Sequence, residues 1–272
     1  MVNAIPIFDG TMELHFAKWH GTGNDFILID DRAGSFPAST DLVQHLCDRH
    51  LGIGSDGLIL IQAPIDGEAQ FHMEFFNPDA SKSFCGNGSR CAFAFWSKLN
   101  NDAPAARFSA IDGLHAGAWR DGEVAVTLRD VARIDRGTQG AEVDFIHNGS
   151  PHELVWVKDP AAVEIMMEGP RRRYAPTHAP GGTNVNFLRV RGGVVDMRTY
   201  ERGVEAETLS CGTGVVAAAL SALNRGLVQA PIGVRTPGGA LQVEARLEPS
   251  GAVTGVRLIG PVQEVYNGTI RI

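Results

Sequence analysis

No stretch of this 272-residue sequence stays apolar for the roughly 18 residues that a membrane-spanning helix needs. The first residues carry no basic segment followed by a long apolar run, so no export signal is expected. Cysteine is scarce: Cys47, Cys85, Cys91 and Cys211 are all there are. Four cysteines in a chain this long do not make a disulfide scaffold, and a reducing cytoplasm is the expected setting. None of their spacings is the Cys-x-x-Cys of a zinc site, and His152-Glu153 lacks the second histidine that a zinc protease carries four residues on. No metal site is expected. Lysine is also rare, and nothing around Lys18, Lys82, Lys98 or Lys158 suggests the Schiff base of a pyridoxal enzyme. Positive charge is in deficit, with 24 Lys and Arg against 31 Asp and Glu, a net charge of −7. That balance argues against non-specific nucleic-acid binding, which depends on basic patches.

Glycine is plentiful, at 32 residues, and the apolar runs are short. Residues 26–30 (FILID), 58–61 (LILI), 124–128 (VAVTL) and 185–190 (VNFLRV) read as strands bounded by Gly, Asp or Pro. Residues 1–11 read as an extension before the first strand pattern. Helical candidates are few: 40–48, 86–100 and 212–225. The last, GTGVVAAALSALNR, stops before Gly226, as a helix should. The expected class is α/β.

The second and third helices reveal a repeat. One opens with Cys85-Gly86-Asn87-Gly88 after HMEFFNPDASKSF, the other with Cys211-Gly212-Thr213-Gly214 after MRTYERGVEAETLS. Each follows a strand and a polar turn. From position 85 to position 211 is 126 residues, nearly half the chain, which suggests two related domains. The boundaries expected are 1–130 for the first domain, joined by a returning C-terminal strand at 261–272, and 131–260 for the second. Helices this apolar on all sides should be buried, each wrapped by strands of its own half.

A cysteine at a helix N-cap sits at the positive end of the helix dipole, which favours the thiolate. Glycine next to it lets the backbone approach a ligand, and the N–H groups of the first turn suit a carboxylate. One copy is a weak signal, since a buried cysteine often packs as a small hydrophobe. Two copies suggest more. If both helix starts face one amino acid, their dipoles hold its carboxylate and the thiols flank its α-carbon. One thiolate then removes a proton from one face while the opposite thiol delivers one to the other. N–H groups aimed at the carboxylate stabilise the charge that develops.

At this point the segments 18–26 (KWHGTGNDF), 47–60 (CDRHLGIGSDGLIL), 76–91 (FNPDASKSFCGNGSRC), 150–152 (SPH), 182–187 (GTNVNF), 198–214 (RTYERGVEAETLSCGTG), 236–239 (TPGG) and 266–268 (YNG) are decisive together. In this order they resemble the diaminopimelate epimerase family from about residue 13 to the end. The resemblance implies two pseudo-symmetric α/β domains, each a curled, barrel-like sheet around a central helix, usually in a homodimer. It implies interconversion of LL- and meso-diaminopimelate, for lysine and peptidoglycan precursors, without pyridoxal phosphate or metal. The catalytic thiols fall on Cys85 and Cys211, with His152 and Glu201 assisting them. Substrate positions fall on Asn24, Asn77, Gly86, Asn87, Asn184, Glu201, Arg202, Gly212 and Thr213. Ser150 stands where many members carry a substrate-contacting Asn. The loop from Asn77 to Cys85 is one residue shorter than in well-known members, and that from Glu201 to Cys211 one longer. These departures border the pocket for the distal end of the substrate.

Rival readings remain. A racemase of another amino acid, such as histidine, would share the scaffold and differ around Ser150 and the two loops. Isomerases related to phenazine biosynthesis resemble the fold but lack the cysteine pair. A non-catalytic binding protein would have little need for two thiols at paired helix starts. Cys47 and Cys91 read as buried packing. Gly52 to Gly57 satisfies a dinucleotide-binding pattern by letter, but LILIQ follows where a helix is required, so a turn is expected. Alone, His152 in a loop would be solvated, and Arg171-Arg172-Arg173 reads as a solvated surface.

Overall fold

Short β-branched and aromatic runs between glycines become strands here, and the two Cys-Gly-x-Gly segments become helices. The protein is seen in a computed structural model that describes residues 12–272; the extension read at 1–11 lies outside the described residues. In chain order the first elements are β1 (Glu13–Gly21), β2 (Asn24–Asp31), α1 (Thr40–Cys47), β3 (Leu58–Gln62), β4 (Phe71–Phe76), α2 (Gly86–Leu99), β5 (Ala105–Ala110), β6 (Gly113–Arg120), β7 (Glu123–Thr127) and β8 (Asp135–Arg136). Then come β9 (Val143–His147), β10 (Pro151–Trp156), α3 (Ile165–Arg173), β11 (Asn184–Arg191), β12 (Val194–Glu201), β13 (Ala206–Thr208), α4 (Gly212–Asn224), β14 (Ile232–Thr236), β15 (Gly239–Leu247), β16 (Val253–Gly260) and β17 (Gln263–Arg271). The chain divides into two compact units, one of residues 12–21, 25–124 and 262–272, the other of 22–24 and 125–261.

The units repeat one topology. In the first, β2 and β3 run parallel, β3 and β4 antiparallel, β4 and β5 parallel, β5 and β6 antiparallel. In the second, β10, β11, β12, β14 and β15 follow the same alternation. A helix, α1 or α3, joins the first parallel pair, and the cysteine helix, α2 or α4, joins the second. The first unit is closed by the chain end: β17 pairs antiparallel with β1, from Glu13 opposite Arg271 to His20 opposite Gln263.

Each sheet curls around its cysteine helix. Helix α2 packs on β1 and on β3 to β6, and α4 on β9 to β12 and β14 to β16. Every residue of α2 from Gly86 to Ser97 is buried, and every residue of α4 from Gly212 to Ala222. A helix apolar all round can be stable only inside such a wrap. In the first unit Phe71 stacks on Trp96 and Phe108, at 5.3 and 5.1 Å between ring centres. In the second, Asp144 of β9 is wholly buried and takes hydrogen bonds from Ser221 (2.6 Å) and Arg225 (2.7 Å), tying the end of α4 to the sheet. Beyond it Gly226, at φ 70°, ends the helix as expected.

Two sequence expectations are corrected. Helix α3 is unforeseen, because Gly169 and Pro170 inside it are helix breakers. Gly169 is required by packing: a Cβ there would come within 2.5 Å of the Tyr200 ring. The basic run is also not a solvated surface. Only Arg171 is exposed; Arg172 bonds the buried Glu153 at 2.7 Å, and Arg173 bonds Glu205 and the Gly181 carbonyl at 3.0 Å each. The turn read at Gly52 to Gly57 does lead into a strand, β3.

Candidate active site

The two repeat cysteines occupy the same structural position. Cys85 is the N-cap of α2 (φ −126°, ψ 113°) and Cys211 the N-cap of α4 (φ −109°, ψ 110°). Their carbonyls accept the first helical hydrogen bonds, from Ser89 and Val215, each at 2.8 Å. The second glycine of each motif makes room for its cysteine. A Cβ on Gly88 would sit 3.4 Å from Cys85 Sγ, and one on Gly214 would sit 3.3 Å from Cys211 Sγ.

The thiols differ in what meets them. Half-buried Cys85 accepts the Gly88 N–H at 3.3 Å, a sulfur acting as the helix cap. The preceding Phe84 ring stacks on His115 at 4.4 Å, and His115 is held by Asp112 at 2.9 Å. Buried Cys211 makes no capping bond; its sulfur lies 3.6 Å from the Thr213 hydroxyl. Cys47 and Cys91 are buried, as expected. Burial raises the Cys47 thiol and pushes Cys91 up to about 12, leaving both inert near neutrality.

His152 is not in a loop. It lies on β10, fully buried, with Nε2 3.0 Å from the Thr213 hydroxyl and Nδ1 3.2 Å from the Asn186 amide. Burial, then His147 and Arg202, push its imidazole down to about 3, so it is neutral at neutral pH. Asn184, at the start of β11, is committed at both ends of its amide, donating to the Pro151 carbonyl (3.0 Å) and accepting from Arg202 N–H (2.8 Å). Glu201 ends β12 and accepts the Thr208 hydroxyl at 2.8 Å, while Arg202 follows it exposed. Ser150 lies in the turn before β10, its carbonyl accepting from Asn148 N–H at 3.2 Å. His152, Asn184, Ser150 and Arg202 thus gather with Cys211, Gly212 and Thr213 in the second unit.

In the first unit Asn77 directly follows β4, and its amide donates to the Ser81 carbonyl and the Ser81 and Ser83 hydroxyls at 3.0 to 3.1 Å. Gly86 and Asn87 form the first turn of α2, where Asn87 Oδ1 accepts from Arg90 at 3.1 Å. Asn24 opens β2, half-buried, and falls in the second unit by packing.

Sequence reading missed Asn148, Asn186 and Thr199. Asn148 holds the Thr213 carbonyl at 2.8 Å, and Thr199 donates to Asn186 Oδ1 at 3.0 Å. One signal was available for Asn186. In NVNF it shares a strand face with Asn184, a polar pair where a buried strand should carry apolar residues. Among the described residues no cluster of His, Cys, Asp and Glu is arranged to hold a metal ion, and no helix is long and apolar enough to cross a membrane.

A family model described as diaminopimelate epimerase matches residues 16–123 and 145–259. The chain belongs to the diaminopimelate epimerase family. It is similar to the diaminopimelate epimerase of Flavobacterium psychrophilum, 38% identical over 93% of this chain and 98% of that one. The enzyme of Aquifex aeolicus is also 38% identical, over 94% of this chain and 98% of that one. Among solved structures, a hydroxyproline epimerase from Agrobacterium vitis superposes with a TM-score of 0.72 at 16% identity, covering 98% of this chain and 94% of that chain. A phenazine biosynthesis protein from Bacillus anthracis superposes with a TM-score of 0.76 at 10% identity, covering 96% and 100%. At such identities these two share the fold with this family member, and nothing more follows from them.

Proposed function

We propose that this protein is a diaminopimelate epimerase, an isomerase that interconverts the LL and meso forms by moving the α-proton. What supports the reading best is the recurrence of cysteine at the N-cap of a buried helix in both units, in a chain 38% identical to curated epimerases over nearly its whole length. One thiolate accepts the α-proton and the other thiol supplies a proton to the opposite face. The first turns of α2 and α4 present backbone N–H groups at the positive end of each helix, and such groups stabilise a carboxylate gaining enolate character. Glu201 and Arg202 complete the polar set, Arg being suited to a carboxylate through its bidentate fork. The reaction so drawn asks for no cofactor. A homodimer in the cytoplasm is the expected state, which sedimentation of the purified protein and fractionation of cells would check.

The test is α-proton exchange in deuterium oxide. Reduced protein is incubated with LL-diaminopimelate, and the α-proton signal is followed alongside the stereochemical outcome. Deuterium uptake with formation of the meso isomer supports the reading. No exchange by folded, reduced protein would sink it for this substrate and turn the search to other amino acids, histidine first, where the altered Ser150 and loops would matter.

A further inference from the structure

A chain of buried hydrogen bonds runs through the second unit to Cys211. It begins at the Glu153 backbone carbonyl, which accepts from Asn186 Nδ2 at 3.0 Å. A carbonyl can only accept, so the orientation of the Asn186 amide is fixed. Its oxygen then faces Thr199, whose hydroxyl donates to it at 3.0 Å. The second hydrogen on Nδ2 points to His152 Nδ1 at 3.2 Å. That ring nitrogen must therefore accept, and the proton of the neutral imidazole resides on Nε2. Nε2 faces the Thr213 hydroxyl at 3.0 Å and donates to it. Thr213, with its oxygen occupied from that side, turns its own hydrogen toward Cys211 Sγ, 3.6 Å away.

We propose that Asn186 is a positioning residue for the epimerase reaction: by fixing the His152 tautomer it directs the Thr213 hydroxyl to donate to Cys211 and so favours the thiolate there. A hydrogen bond to the charged form stabilises it, so each link bears on the thiol at the end. The fit is tight. Asn186 and His152 have no exposure, and a Cβ on Gly214 would lie 2.7 Å from Asn186 Oδ1, so the amide is pressed against the start of α4. Asn186 and Thr199 are direct cross-strand neighbours on β11 and β12. At the equivalent positions of the first unit Asn87 stands in the place of Thr213, and Cys85 accepts the Gly88 backbone N–H.

Other charges around this corner are oriented differently. His147 on β9 and Arg202 beyond β12 act on His152, both opposing its protonation. Glu153 turns its carboxylate to Arg172 and His178, at 2.7 Å each, and Glu201 takes the Thr208 hydroxyl. Asp144 is held by Arg225 at the far end of α4. Protonation of His152, disfavoured by its burial, would reverse the Nδ1 link and break the chain.

The inference rests on the epimerase reading for its role but is tested without substrate. Nitrogen-15 NMR of the histidine-labelled wild-type protein, with His152 assigned by loss of its signals in His152→Gln, should show a neutral ring protonated at Nε2. A ring protonated at Nδ1, or an imidazolium at neutral pH, would overturn the proposal whatever the fate of the mutants. In a Cys85→Ala background, with Cys47 and Cys91 shifted upward by burial, ultraviolet thiolate absorbance reports Cys211. Its midpoint should rise by about one pH unit or more in Asn186→Leu and in Thr213→Val. Thr213→Ser, which keeps the hydroxyl, should return it to the starting value. An unmoved midpoint in folded Asn186→Leu would overturn the proposal. Failure of deuterium exchange by the wild type would count against the substrate assignment and leave the hydrogen-bond chain standing.

Discussion

Two cysteines at equivalent N-caps are met by different partners, a backbone N–H at Cys85 and a side-chain hydroxyl at Cys211. Each is expected to serve one face of the α-carbon, so neither should replace the other. Cys85→Ala and Cys211→Ala should each lower kcat by on the order of 10³-fold, within the range general acid–base catalysis supplies, measured by conversion of LL to meso substrate. Full epimerisation by either variant would remove the two-base mechanism. His152 makes a second residue-scale prediction. Its folded pKa of about 3 lies below the ordinary 6.5. Between those values the unfolded chain binds a proton that the folded chain does not, so stability falls as pH drops from 6.5 toward 3, by about 1.4 kcal/mol per unit. Urea unfolding should therefore show the gap between wild type and His152→Gln narrowing by about 2 kcal/mol from pH 6.5 to pH 5.

For the elements, the cysteine helices decide most. Helix α4 is apolar on nearly every side, and that alone requires burial; α2 is buried as completely although it carries Arg90, which bonds Asn87 within the helix at 3.1 Å. The close approach at the start of α4 leaves no room for a methyl group. Gly214→Ala should cost roughly 1–3 kcal/mol through overpacking against Asn186, read by thermal unfolding, and should reduce turnover as α4 shifts. At the other end, Asp144→Ala leaves the Arg225 guanidinium without its partner. A buried pair broken from one side costs roughly 3–5 kcal/mol, and chemical denaturation should register a loss of that order. Helix α3 was illegible beforehand for the opposite reason. Its Glu164 N-cap makes no side-chain capping bond, Gly169 and Pro170 disfavour helix, and Gly169 packs against Tyr200.

Across the whole molecule, the repeat and the returning chain end organise the two units. Removal of residues 263–272 strips β1 of one of its two strand partners along nearly its full length and leaves it β2 alone. The truncated protein should lose the near-ultraviolet circular dichroism of the first unit's aromatic core, where Phe71, Trp96 and Phe108 stack. Retention of that signal would mean that β1 holds its place without β17.

The sequence by itself determined the strand-rich α/β class, the helices after Cys85 and Cys211 and the repeat that relates them. These follow from local features: short apolar runs, glycine stops and a motif at fixed spacing, all readable along the chain. Recurrent segments in order also sufficed for the family. Tertiary structure alone decided where polar side chains point. Arg172 and Arg173 looked like surface until Glu153 and Glu205, distant in sequence, were brought against them. Asn186 looked like a strand residue of no account until β10, β12 and α4 closed around it. A hydrogen-bond direction depends on which donor meets which acceptor across the fold, and no local pattern encodes that pairing.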